Sequence, residues 1–440
     1  MRLFPSTLRR PLAAVSLLML TSVPRPSAAQ TMTDLNLVVT PVVSSGLSEP
    51  VTMAFLGPND FLVTEKSTGR VRRVIGGVLQ AGFVLDVNVN FSSERGLLGM
   101  AIQQGTPIRV YLYYTEAQGA DGGTPLGNRV YRYDWNPAGA GSLINPQLIL
   151  DLPVTGGPNH DGGVVVLDPA GHVYTVIGDL NRNGQLQNFP AGPAPDDTSV
   201  IYRVNSDGSA AAGNPFTPYC SNNTSQTCTG NPGCPGGTCL TQVARYHAYG
   251  VRNCFGMTLD PMTGFLWDTE NGENVMDEVN LVPPGINSGW EQIMGPDALD
   301  PQGTADLWNM PGAGLTYSDP EFSWQDTIAP TAILFPVGTS WGPTYANVVL
   351  AGDNNNGNIY SFPLNGSRTG FDTAQLPAAL QDLVAQNQTE ANLVQIGQGF
   401  GGITDFKIGP DNDVYVVNIF GTIYRIHGPV PVELQGFSVE

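Results

Sequence analysis

The sequence predicts an all-β chain folded as a six-bladed β-propeller with a cysteine-rich loop insertion. A turn leading into a short apolar strand recurs about six times, and four of these units continue into a second strand centred on tyrosine. The composition agrees. With 53 glycines, 36 prolines and only 13% charged residues, the chain has many turns and little long amphipathic helix.

In chain order, Leu56-Gly57-Pro58-Asn59-Asp60 turns into Phe61-Leu62-Val63, and Thr106-Pro107 into Ile108 to Tyr114 with the sequel Val130-Tyr131-Arg132-Tyr133. Leu167-Asp168-Pro169-Ala170-Gly171 leads into His172 to Ile177, followed by Ile201-Tyr202-Arg203-Val204. Leu259 to Gly264 leads into Phe265-Leu266-Trp267. Trp341-Gly342-Pro343 leads into Val348-Val349-Leu350 and Ile359-Tyr360-Ser361-Phe362. Ile408 to Asn412 leads into Val414-Tyr415-Val416 and Ile423-Tyr424-Arg425-Ile426. Pro, Gly and Asx set the turns, and β-branched and aromatic residues suit the pleated strands. A β-sandwich with long loops is the alternative architecture. One helix is expected between strands, over Asp372 to Asn392.

Residues 1–29 have the form of a signal peptide: basic Arg2, Arg9 and Arg10, apolar Leu12 to Leu20, then Ser27-Ala28-Ala29. The propeller is expected over 30–428, and 429–440 is a strand-like tail or linker stub without evident chemistry. No stretch approaches the ~18 apolar residues of a membrane span, so no membrane insertion is expected and the protein is read as periplasmic or secreted. Loss of the leader's arginines takes the formal charge from −19 to about −23, which disfavours nucleic acid and anionic membranes as partners. Cys220, Cys228, Cys234 and Cys239 crowd into a Gly/Pro/Asn-rich insert, residues 217–242. In an exported chain this reads as two disulfides with three possible pairings; a zinc knuckle is the weaker alternative, lacking histidine and C-x-x-C spacing. Cys254 is left over and expected to be buried and free.

Chemistry concentrates in two blocks. In Gly156 to Asp179, His160 and Asp161 lie between glycines, and Asp179 ends the next strand. A histidine whose tautomer is fixed by a carboxylate has the parts of a general base, although a turn-capping histidine is the simpler reading of those residues alone. In Tyr249 to Trp290, Arg252 offers a planar fork and Asn253 an amide. Glu270-Asn271-Gly272-Glu273-Asn274 and Asp277-Glu278, with Asn280 and Asn287, are rich in the oxygen ligands that Ca²⁺ favours, or else a solvated acidic loop. A propeller gathers such distant residues at one end of its channel.

These blocks resemble the glucose/sorbosone dehydrogenase family of six-bladed quinoproteins, which use pyrroloquinoline quinone (PQQ) and Ca²⁺ to oxidise aldoses. The resemblance runs from about Leu47 to Ile426. It is carried by Glu94-Arg95-Gly96-Leu97-Leu98-Gly99, His160-Asp161-Gly162-Gly163, Gly178-Asp179, Tyr202 to Gly208, Asn214-Pro215-Phe216, Arg252-Asn253, Asp277 to Leu281, Pro284 to Trp290 and Ala329-Pro330-Thr331. It implies that His160 takes the proton of the sugar's C1 hydroxyl, that Asp179 orients His160, and that Arg252 and Asn253 flank the quinone carbonyls. It further implies Glu94 and Asp161 facing the substrate, carbonyls of Gly272 and Glu273 on a PQQ-bound Ca²⁺, and Glu278 with the backbone near Ser288 at a second Ca²⁺. A small-molecule sugar is the implied substrate, with an electron acceptor of unknown identity.

The sequence also departs from the family pattern. The family's lysine falls on Asn355, its two arginines on Gly402 and Thr404, and its substrate-side glutamine on Glu94; the proline usual after Gly272 is missing. PQQ carries three carboxylates, so losing those cations weakens its electrostatic clamp. Arg252, Arg95 and Lys407 are the remaining candidates to face it, and Lys407 is expected to point elsewhere. The alternatives are a non-enzymatic propeller that binds a glycan or protein, and, less favoured, a Ca²⁺-dependent lactonase or hydrolase.

Overall fold

The structure, a computed structural model, describes residues 30–300, 303–312 and 317–429. The leader, and all of the tail but Pro429, lie outside them. Six blade sheets, antiparallel except for one short parallel strand in the fourth, follow one another along the chain, and a two-stranded hairpin lies in the cysteine-rich insert. The blades' innermost strands are Pro50–Gly57, Leu97–Gln103, Val165–Leu167, Cys254–Leu259, Pro330–Leu334 and Ile403–Ile408. Each packs beside the next, and the sixth packs beside the first, so the sheets close into a propeller. The sixth blade is completed from the other end of the chain: Val38–Val43 pairs antiparallel with Thr422–His427.

The strand pattern follows from this stacking. The second strand of a blade is covered on both faces by its neighbours, so it is buried along its length and mostly apolar instead of alternating. Val173–Ile177 and Val414–Asn418 are buried at every position. The large side chains fill the spaces between blades. Between the second and third lie Tyr111, Tyr113, Tyr202 and Tyr246; between the fourth and fifth lie Trp267, Phe322, Trp324, Tyr360 and Phe362. The recurrent tyrosines thus serve the inter-blade core. Tyr202 also places its hydroxyl on Asp197 at 2.8 Å, and Tyr360 on Asp353 at 2.8 Å, satisfying polar tips that burial would otherwise penalise.

The helix expected over Asp372 to Asn392 is not formed. Only Gln388–Ala391 is α-helical, capped by Asn387. Before it the chain makes a 3₁₀ turn at Ala378–Leu380 and a short strand, Val384–Ala385, parallel to Phe322–Asp326. Pro377 removes a helical donor, and Leu376, Leu380 and Val384 are buried through this turn and strand. Tertiary packing overrode the helical spacing.

In the insert, Cys220 pairs with Cys234 and Cys228 with Cys239, and Cys254 is free and buried. The insert is pinned at its base by buried Tyr219 and Leu240. Among the described residues no helix is long and apolar enough to cross a membrane.

Candidate active site

Because strands alternate in direction, the loop entering each inner strand and the loop joining the second and third strands open on the same end of the ring. There they enclose a cavity of about 540 Å³. Its walls include Glu94, His160, Arg252 and Asn253 from entry loops, and Lys66, Asn271–Glu273, Asn354 and Ile419 from the second kind. A narrower space continues down the axis between the inner strands, and Lys407 lies there, paired with Asp405 at 2.6 Å.

His160 is held from behind. Its Nδ1 lies 2.6 Å from Asp179 Oδ1, which also accepts the Asn181 N–H at 2.7 Å. Asp179 Oδ2 accepts the indole N–H of Trp290 at 2.7 Å. Such a carboxylate fixes the Nδ1–H tautomer and leaves Nε2 as the basic nitrogen on the cavity side. His160 adopts a left-handed backbone (φ 63°), stabilised by its N–H donating to Glu94 Oε2 at 2.5 Å. The strand end beside it requires glycine: a Cβ at Gly178 would lie 2.3 Å from the Arg252 carbonyl and 2.6 Å from that of His160.

Arg252 lies against the indole of Trp290, its guanidinium carbon 5.1 Å from the ring centroid, and donates from Nη1 to the Asn271 carbonyl at 2.8 Å. Asn253 donates to Glu94 at 3.0 Å. Glu94 therefore lines the cavity with one oxygen already engaged by two donors. Buried polar atoms without a partner include Arg252 Nε, Asn253 Oδ1 and, beside them, Asn271 Oδ1. Buried polar atoms are nearly always hydrogen-bonded, so this donor and these acceptors are suited to a ligand.

One expected site residue, Asp161, lies elsewhere, while Glu278, expected at a second Ca²⁺ position, lies outside the cavity. Asp161, expected to face substrate, is fully buried in the wall, with Oδ1 on Asn128 at 2.8 Å and Arg95 at 3.4 Å. The left-handed turn at His160 sends successive side chains apart. Arg95 is consumed there too, donating to the carbonyls of Val154 and Gly157. Glu278 is buried behind the cavity, accepting Asn280 Nδ2 at 3.1 Å and the Gly295 N–H at 2.5 Å. The absent clamp has a structural counterpart. A Cβ at Gly402 would meet Asn354 Nδ2 and Ile419 Cγ2, each at 2.9 Å, while Thr404 donates to the carbonyl of Pro50 at 3.2 Å. Asn355 is exposed and outside the lining, so this wall is neutral.

The sequence reading missed Lys66 and the role of Trp290. Lys66 follows Glu65 in the loop between the second and third strands of the first blade, the same kind of loop as Asn271–Glu273 in the fourth. Superposing blade on blade in the sequence would have placed it at the mouth. Trp290 ends the Pro284–Trp290 motif, and nothing local shows that it reaches Asp179.

Behind Arg252, Asp268, Glu270 and Glu278 are buried close together, and Glu270 accepts the Arg252 backbone N–H at 3.1 Å. Burial, reinforced by the neighbouring carboxyls, pushes all three pKa values up, that of Glu278 to about 8. The folded chain therefore keeps these protons at pH values where the unfolded chain has lost them. For Glu278 this stabilisation is full below about pH 4.5 and drains away as pH rises toward about 8. In chelator-treated protein the unfolding temperature should fall across that window, and Glu278→Gln should flatten the slope. A melting temperature independent of pH there would contradict the reading.

A profile of the family described as Glucose / Sorbosone dehydrogenase matches residues 47–419. An uncharacterized protein of Synechocystis sp. is 27% identical over 391 residues, covering 85% of this chain and 82% of that one. Quinoprotein glucose dehydrogenase B of Acinetobacter calcoaceticus is 26% identical, covering 58% of this chain and 52% of its own length. The crystal structure of the soluble aldose sugar dehydrogenase of Escherichia coli in its apo form superposes with a TM-score of 0.64 at 22% identity, covering 90% of this chain and all of that one.

Proposed function

The chain belongs to the glucose/sorbosone dehydrogenase family, and from that premise we propose that it oxidises aldose sugars with PQQ in the funnel, His160 acting as general base. The observation that carries this reading is the hydrogen-bonded chain from His160 through Asp179 to Trp290, which leaves one imidazole nitrogen basic at the cavity. When bound, PQQ supplies the acceptor for the hydride leaving C1. His160 Nε2 takes the C1 hydroxyl proton, and the Asp179 carboxylate stabilises the imidazolium that results.

The donor set fits the cofactor on this wall. The unpartnered Arg252 Nε suits a quinone or carboxylate oxygen, and the unpartnered Asn253 Oδ1 suits a sugar hydroxyl. Carbonyls of Gly272 and Glu273 are hard oxygen donors for a cofactor-bound Ca²⁺, and Glu278 with the backbone near Ser288 for a second. Export to the periplasm or medium is part of the same reading, supported by the two disulfides of the insert.

The neutral wall at Asn354, Gly402 and Thr404 favours a second reading, a propeller that binds a glycan without oxidising it. Calorimetric titration of PQQ into the apo-protein, with and without Ca²⁺, separates the two. Saturable Ca²⁺-dependent binding followed by aldose turnover supports the oxidase chemistry, and no binding supports the second reading. A milder test is Trp290→Phe, which keeps a ring near Arg252 but deletes the N–H on Asp179. Turnover should fall about ten-fold or more with PQQ affinity changed less, since a hydrogen bond to a charged group is worth ~1.5–3 kcal/mol. Unchanged turnover would remove Trp290 from the chain.

A further inference from the structure

We propose that Lys66 binds a carboxylate of the cofactor and takes over the anchoring task that Asn355, Gly402 and Thr404 cannot perform. This rests on the quinone reading above. The chain has only two lysines, Lys66 and Lys407. Lys407 is held by Asp405 down the channel, whereas Lys66 lines the mouth cavity together with His160 and Arg252. The nearby arginines outside the cavity lining are spent on protein acids: Arg95 on Asp161 and Arg182 on Asp196. Among the described residues Lys66 forms no ion pair; its one hydrogen bond goes to the Ser93 carbonyl at 2.7 Å.

An ammonium carries three donors, so two remain for a ligand. The position is also built. The Lys66 N–H donates to the Glu49 carbonyl and the Lys66 carbonyl accepts from the Leu97 N–H, at 3.0 and 2.9 Å, tying the loop to strands on both sides. Gly96, with φ 145°, lets the chain pass: a Cβ there would lie 2.7 Å from Lys66 Cγ and 2.5 Å from the Lys66 carbonyl. Burial lowers the lysine's pKa while the charges of Glu49 and Glu94 hold it up. A partly desolvated cation without an ion pair, in a chain with 38 acidic and 19 basic residues, favours an anionic ligand at that point.

The test is PQQ binding to the full-length protein with Ca²⁺, read by calorimetry and by the shift in melting temperature that PQQ produces. Lys66→Met keeps the stem and deletes the charge. It should weaken PQQ about ten- to hundred-fold and reduce the salt dependence of binding, with the apo melting temperature close to wild type. Lys66→Arg should retain most of the affinity, and Lys407→Met should leave it unchanged. If Lys66→Met does not fold, Lys66→Gln against Lys66→Arg asks the same question. Wild-type affinity in the neutral variants overturns the role of Lys66 while leaving the quinone reading in place. Absence of PQQ binding by the wild-type protein overturns both.

Discussion

His160→Ala should lower aldose oxidation by about 10²–10⁴-fold, the range that general-base catalysis contributes, while the propeller melts close to the wild-type temperature. The separation is expected because the ring is the last member of its chain. Removing it leaves Asp179 with the Trp290 indole N–H and the Asn181 N–H, so no buried carboxylate is orphaned. The φ of 63° at this position is one that histidine adopts more readily than alanine, so a small loss of stability accompanies the substitution. Turnover with an artificial acceptor, a thermal melt and a PQQ titration form the comparison. Turnover retained near wild type would assign the proton to another group. Loss of PQQ binding along with turnover would make His160 a binding residue first.

Gly178→Ala is expected to be as damaging by a different route. Gly178 is where three segments meet: its carbonyl accepts the Ser199 N–H, and the next residue's N–H donates to the Arg252 carbonyl at 3.0 Å. A methyl group would be 2.3 Å from that carbonyl oxygen and 3.1 Å from His160 Cβ. Both neighbours are backbone or near it, so relief requires the two loops to separate. We expect ~1–3 kcal/mol of destabilisation, together with a loss of PQQ binding and turnover larger than stability explains, because base and arginine move apart. A variant with wild-type melting temperature and turnover would mean that the loops give way freely.

Much of the propeller was legible because its strongest signals are local. A strand covered on both faces is mostly apolar, and the turn before it must contain residues that reverse the chain, so Val173–Ile177 and Val414–Asn418 announce themselves. His160, Asp179, Arg252 and Asn253 were legible through glycines and family motifs, and the structure gathers them at one mouth. What failed depends on geometry that spacing does not encode. Asp161 follows His160 directly, yet one left-handed residue turns it into the wall. Leu376, Leu380 and Val384 repeat every four residues as on a helix, but Leu376 and Leu380 are buried through turns against the fourth and fifth blades, and Val384 in a short strand. Lys66 carries no motif and acquires meaning only from the ring.

The pairing of Val38–Val43 with Thr422–His427 also has a consequence in time. A ribosome or translocation pore delivers the first of these strands hundreds of residues before the second, and the ring has no closing partner in the interval. Four blades form from neighbouring segments as they emerge, the fifth adds Thr31–Met32 at its edge, and the sixth waits for the end of the chain. Until then the early strand has an open edge, the feature that invites pairing with another molecule. Proline at position 41 removes a ladder donor and makes that waiting strand a poorer template for such pairing. The ring is thus fastened last by a strand made early, and a chain that stalls before residue 422 leaves its sixth blade incomplete.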